Sequence, residues 1–266
     1  MKNKEEMSFL DHLEILRWHL IRSGIAILLF SILAFIFKEI IFDVVLLAPK
    51  DPNFLTYRFL CNISQGLGLG DALCIKESPF SLMNINMAGQ FSAHLLTSFY
   101  AGFILAFPYV FWEIWRFVLP ALKEKEAKVS RGIVFFSSLL FLTGVIFGYF
   151  VIAPLSINFL GSYQVSQTVA NQISLTSFIS TVTTISLANG IIFELPILVY
   201  FLTKIGLLTP EFMRTYRRHA MVITLILSAI ITPPDITSQI LVSFPLIILY
   251  EISIQISKAI VKKNNQ

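Results

Sequence analysis

Long apolar stretches alternate with short, often basic, polar connections along almost the whole chain. Six stretches stand out, at about 20–42, 88–112, 132–154, 176–203, 218–232 and 237–257. Crossing the hydrocarbon core of a bilayer takes about 20 apolar residues in a helix. The pattern therefore predicts an all-α integral membrane protein with six transmembrane helices, residues 1–266 forming one polytopic domain. Ahead of the first stretch, residues of about 8–20 place Phe9, Leu13, Leu16 and Leu20 on one helical face, with Asp11, Glu14 and Arg17 off it. Ser8 to Asp11 has the form of a capping box. This segment reads as an interfacial helix leading into the first span. The polar stretch of about 44–82 is the longest; Gly66, Gly68 and Gly70 suggest irregular structure in it.

The interruptions carry the detail. Pro108 lies in the second span, and Trp112, Trp115 and Phe117 form an aromatic belt at its end. Pro154 closes the third span. The last two spans are short. Ala220 to Ile231 covers about 18 Å as helix, against a hydrocarbon core of about 30 Å. Ile240 to Tyr250 is similarly short before Glu251, and Thr232–Pro233–Pro234–Asp235 forms a hairpin between the two. Glu194, two residues before Pro196, stands inside the fourth span, where a carboxylate is costly and points to function.

Charge sets the orientation. With six spans and both termini in the cytoplasm, 16 of the 20 Lys and Arg fall on the inner side, as the distribution of basic residues around membrane spans requires. The net charge of +4 thus reflects topology and gives no reason to expect nucleic-acid binding. Hydrophobic residues at 56%, charged residues at 14% and a mean hydropathy of +0.76 leave no room for a separate soluble domain. The N-terminal segment, with Glu5, Glu6, Asp11 and Glu14 early in it, is not a cleavable signal peptide. Cys61 and Cys74 both fall in the 44–82 loop, on the oxidising side, and are a disulfide candidate or two free thiols. No spacing of His, Cys, Ser or Gly suggests a metal, a cofactor or a catalytic set, so an enzyme is not expected.

Four motifs, in order, resemble the TatC family, the multi-spanning receptors of the twin-arginine protein translocase. They are Phe9–Leu10–Asp11–His12–Leu13–Glu14–Ile15–Leu16–Arg17; Trp115–Arg116–Phe117–Val118–Leu119–Pro120–Ala121–Leu122 with Glu126 beyond; Phe193–Glu194–Leu195–Pro196; and Thr232–Pro233–Pro234–Asp235 followed by Ser238–Gln239. The resemblance implies a concave, glove-like bundle with two short final helices, located in a bacterial cytoplasmic (inner) membrane. It also implies a function: binding the signal peptides of folded precursors, which carry consecutive arginines, and assembling with single-span TatA and TatB partners. Transport is driven by the proton-motive force, and self-association in the complex and contact with lipid are expected.

Recognition of paired guanidinium groups needs carboxylates that accept the planar fork of arginine. From the residues alone Glu126 is a solvated charge in Lys123–Glu124–Lys125–Glu126; the resemblance makes it the arginine-recognising acid, with Glu124 as a neighbour. Arg17 and Phe117 match family positions at the same site. The family commonly has a glutamate directly before its Leu–Arg pair. Here that position is Ile15 and the acid is Glu14, a rotation of about 100° on a helix. Pro79 and Pro120 are structural in this scheme, and Asp235 caps the last helix. Glu194 is an intramembrane polar group, and Gln239 a docking point for a partner helix. The competing reading is a proton-coupled secondary transporter of small solutes with Glu194 as relay; the missing internal repeat counts against it.

Overall fold

Backbone polar groups in lipid have no water to pair with, so an apolar run must satisfy them within a helix. The computed structural model describes residues 9–72, 74–75, 80–118, 130–166, 168, 171–232 and 236–264. Among them, five helical stretches are long and apolar enough to cross a membrane: Leu13–Ile36, Gly89–Val118, Gly132–Ser162, Leu175–Lys204 and Ser238–Lys262. Large apolar side chains stand on their outsides; Leu28, for example, is 60% exposed. A surface of that kind would be a liability in water and suits contact with lipid.

The chain begins with α1 (Phe9–Ile36), then a π-helical turn at Ile40–Leu46 and a 3-10 turn at Ala48–Lys50. Next come α2 (Leu55–Gly66), β1 (Ser81–Met83), α3 (Gly89–Val118) and α4 (Ser130–Phe147). A second π-helical turn, Gly148–Ile152, leads into α5 (Ala153–Ser162), followed by β2 (Gln172–Ser174) and α6 (Leu175–Phe193). The chain closes with α7 (Leu195–Lys204), α8 (Pro210–Thr215), α9 (Arg217–Ile231) and α10 (Ile236–Asn264).

Several expectations are corrected. The segment at 8–20 is not a separate interfacial helix; it is the start of the single helix α1, which stops at Ile36 rather than near 42. The 44–82 loop holds the ordered helix α2. Its glycines matter after that helix, where Gly68 and Gly70 take φ of 73° and 60°, a conformation open mainly to glycine. Pro154 does not end the third span. It sits in the first turn of α5, directly after the π turn, and helix continues to Ser162; the Phe150 carbonyl, four residues earlier, accepts from Thr56 instead. The fold is mostly helical, as expected, with one small addition: β1 and β2 pair in parallel, Ser81 opposite Gln172.

The last helix is not short. α10 has 29 residues, and neither Pro245 nor Glu251 stops it. The Glu251 carboxylate accepts from Arg217 of α9 at 2.5 Å. With its charge met there, the acid does not need to leave the helix. α9, with 15 residues, remains the short one.

The chain divides into two compact units, Met1–Ile36 with Ser98–Leu139, and Phe37–Thr97 with Leu140–Gln266. In the first, α1 and α3 meet backbone to backbone where Gly102 lies against Ser31; a Cβ on Gly102 would overlap the Ser31 main chain. The second unit has a buried apolar core that includes Ile152, Phe178, Val182, Ile185, Val242 and Leu246. Gly144 and Gly148, one helical turn apart, let α4 and its π turn approach the α6 backbone, with Asn189 O and Ile185 O as neighbours. Small residues four apart permit this close packing where lipid removes the hydrophobic drive. α2 is tied down by Tyr57, whose hydroxyl lies 3.0 Å from Pro49 O and 2.9 Å from Pro154 O. Burial pushes that phenol above its ordinary pKa, so it stays a donor. Thr56 donates to the Phe150 carbonyl, and Cys61 and Cys74 are joined in a disulfide, their Cα atoms 4.4 Å apart.

Candidate functional site

In the first unit the notable chemistry gathers on one face of the last turns of α3. Tyr109, Glu113, Arg116 and Phe117 follow i, i+4, i+7 and i+8 spacing, which brings them to one side of a helix. Glu113 is 1% exposed. One carboxylate oxygen lies 2.5 Å from Nδ1 of His19 on α1. The other accepts from the Tyr109 hydroxyl at 3.0 Å and lies 3.8 Å from Arg116 Nη1. A buried carboxylate is tolerated only when its lone pairs are met in this way. The Arg116 guanidinium also stands over the Trp112 ring, 5.0 Å from its centroid. The half-buried Phe117 ring meets the His19 ring edge-on, with centroids 6.2 Å apart.

The expected site residues are partly brought together. Phe117 is next to His19. Arg17, two residues before His19, lies about 200° round the helix from it, and both Arg17 and Glu14 are exposed. Ile15, at the position where the family carries its acid, is exposed as well. Leu13, Leu16, Arg17, Leu20 and Ile21 line an open hollow on α1. Glu124, Glu126, Pro79, Pro120 and Asp235 lie outside the described residues.

Sequence reasoning missed His19 and Glu113 as a pair. The rule that singles out Glu194, a carboxylate in an apolar span, applies equally to Glu113. A span ending at 112 leaves that acid just outside it, whereas the helix runs on to Val118. His19 lies 94 residues away in sequence, and no local spacing could join the two.

In the second unit Glu194 occupies the break between α6 and α7. It is half-buried, its N–H bonds to Ile191 O, and its carbonyl accepts from Ile197 and Leu198. Pro196 in the first turn of α7 explains the break. Gln239 donates to Leu225 O at 3.3 Å, linking α10 to α9; its amide is engaged within the chain. Next to it, Ser156 donates to Ser238 at 2.7 Å. Among the described residues no group of His, Cys, Asp and Glu is arranged to hold a metal.

Known proteins give the context for this arrangement. The family model for TatC, described as Sec-independent protein translocase protein, matches residues 11–245. The TatC protein of Blattabacterium from Periplaneta americana is 42% identical over 99% of this chain and 100% of its own length. That of Aquifex aeolicus is 34% identical over 98% of each. A crystal structure of a twin arginine translocase receptor, TatC, has 33% identity and a TM-score of 0.71, covering 94% of this chain and 99% of that one. These are protein-transport proteins and not enzymes. By sequence along nearly its whole length and by fold, this multi-pass chain belongs to the TatC family of Sec-independent protein translocase proteins.

Proposed function

We propose that this chain is the core receptor of a twin-arginine translocase in a bacterial cytoplasmic membrane. It binds the paired-arginine signal peptides of folded precursors at its cytoplasmic face and assembles with TatA- and TatB-type single-span partners. Export draws on the proton-motive force, and both termini face the cytoplasm. The observation that carries this reading is end-to-end likeness, 42% identity over 99% of the chain to a TatC relative, beside a solved receptor of the same fold. The transporter alternative has no comparable support.

The chemistry follows from the guanidinium group. Its planar fork offers paired N–H donors that a carboxylate accepts bidentately, which an ammonium cannot copy. Glu126 is the primary acceptor, with Glu124 beside it, and Phe117 supports the apolar part of the peptide. The exposed Arg17 and Glu14 stand on α1. With Ile15 at the usual acidic position, the contribution of α1 shifts to Glu14, one residue earlier. Glu194 supplies polarity within the membrane. Gln239 fixes the register of the α9–α10 hairpin and, through it, the face offered to a partner helix.

The test is binding to the purified protein of a signal peptide with paired arginines, compared with the same peptide carrying paired lysines. The expected result is clear preference for arginine, lost in Glu126→Gln. Equal binding of both peptides by the unaltered protein would sink the receptor reading.

A further inference from the structure

We propose that the bond between His19 and Glu113 is a pin that fixes the spacing of α1 and α3 at the end carrying Arg17 and Phe117, making both positioning residues for the signal-peptide site. This rests on the receptor reading above. The reason lies in what can hold one helix to another in lipid. Lipid tails are as apolar as leucine, so burial of apolar surface gives helices no drive to associate. What remains is close packing and interhelical hydrogen bonds.

Two points of attachment between these helices stand out. At one, Gly102 presses on the Ser31 backbone. The Ser31 hydroxyl donates to Ile27 O on its own helix. At the other, His19 donates to the buried Glu113. On α1 the stretch from His19 to Ser31 is roughly three helical turns, and on α3 the stretch from Gly102 to Glu113 is roughly three turns as well. The near-equal spacings let the two helices lie side by side, antiparallel, between a steric contact and a polar one. Remove the polar one, and α1 can pivot about Gly102 and Ser31.

The pivot would be felt at the candidate site. Arg17 is two residues from His19, and the Phe117 ring rests edge-on against the His19 ring. Glu113 also faces Arg116. Without the acid, an uncompensated guanidinium would stand next to the place where two more must bind. Tyr109 completes the acid's set of partners and holds its carboxylate in orientation.

The experiment uses the full chain in detergent, with spin labels at two pairs of exposed positions in this unit. Trp18→Cys with Ile114→Cys reports the His19–Glu113 end; Leu33→Cys with Phe99→Cys reports the Gly102–Ser31 end. Each pair is combined with Glu113→Leu, His19→Leu or Glu113→Gln. The glutamine still accepts from His19, so it is the conservative variant. The leucine variants are expected to broaden the Trp18–Ile114 distances while leaving the Leu33–Phe99 distances unchanged. They should also weaken binding of the paired-arginine peptide about tenfold, the scale of one strong interhelical hydrogen bond. Glu113→Gln should restore the Trp18–Ile114 distances, and binding only in part, because Arg116 stays uncompensated. Unchanged Trp18–Ile114 distances in the leucine variants would overturn the pin. Broadened distances with undiminished binding would overturn its role at the site. Absence of arginine preference in the unaltered protein is a different result, which defeats the receptor reading and with it the assignment of the pin to that site.

Discussion

The two units hold their membrane helices in different ways. In the apolar window of Leu13–Ile36, 11% of residues are buried against protein; in Leu175–Lys204 and Ser238–Lys262 the share is 39%. The second unit has an apolar core, close glycine contacts and a disulfide-bound connecting segment. α1 of the first unit is largely exposed to its surroundings, and its described contacts with α3 include one steric and one polar point. Within lipid, apolar side chains gain little by exchanging tails for protein, and what distinguishes a packed helix from a loose one is shape fit and hydrogen bonding. The lesson is that the same substitution type should act differently in the two units.

The sharpest break of that comparison comes from the close glycines. A Cβ on Gly148 would stand 2.9 Å from Ile185 O and 2.9 Å from Ser186 Cα, both main-chain atoms of α6. Gly148→Leu should therefore cost about 3 kcal/mol or more, at the upper end for overpacking, seen as a steep fall in Tm or loss of folded protein. Gly102→Leu, although more tightly crowded at Ser31, should lower Tm less, because α1 can swing outward into lipid. Equal losses in both variants would show that α1 is held as firmly as the second unit's helices.

Next is the disulfide. Cys61 and Cys74 are 13 residues apart, and closing such a loop contributes about 3 kcal/mol in the chain-entropy model. The double variant Cys61→Ser, Cys74→Ser should lower the Tm of the whole protein, and reductant should lower that of the parent toward it. If neither moved Tm, contacts such as the Tyr57 and Thr56 bonds would be enough to hold α2.

The smallest effect concerns Arg217 and Glu251, whose charged groups are 2.5 Å apart yet 47% and 36% exposed. Exposed pairs contribute about 0–1 kcal/mol, so Arg217→Ala should shift Tm only slightly. A loss as large as that of the disulfide variant would mean that the pair is shielded from solvent in the assembled membrane protein.

Much of the architecture was legible in the order of residues. The brevity of α9 follows from hydropathy, whereas the break at Glu194 was not expected even though Pro196 was in view. Nor was the long α10, because a lone Glu251 reads as a span boundary until Arg217 is seen across from it. Pro154 misleads for a related reason: proline ends a helix unless the carbonyl it leaves is met, and here Thr56 donates to Phe150. Gly144 and Gly148 carry a readable small-residue signal, but what they approach cannot be read from it.

By itself the sequence determined the membrane class and the family, since lipid demands helical apolar runs and the four motifs are local strings. Only the tertiary structure decided which polar groups meet. His19 and Glu113 are 94 residues apart, Tyr57 and Pro154 97, and Gln239 and Leu225 are on different helices. Hydropathy is a property of each stretch alone. A hydrogen bond across helices depends on their rotation and depth, and those are set by packing at glycines and by the partners themselves.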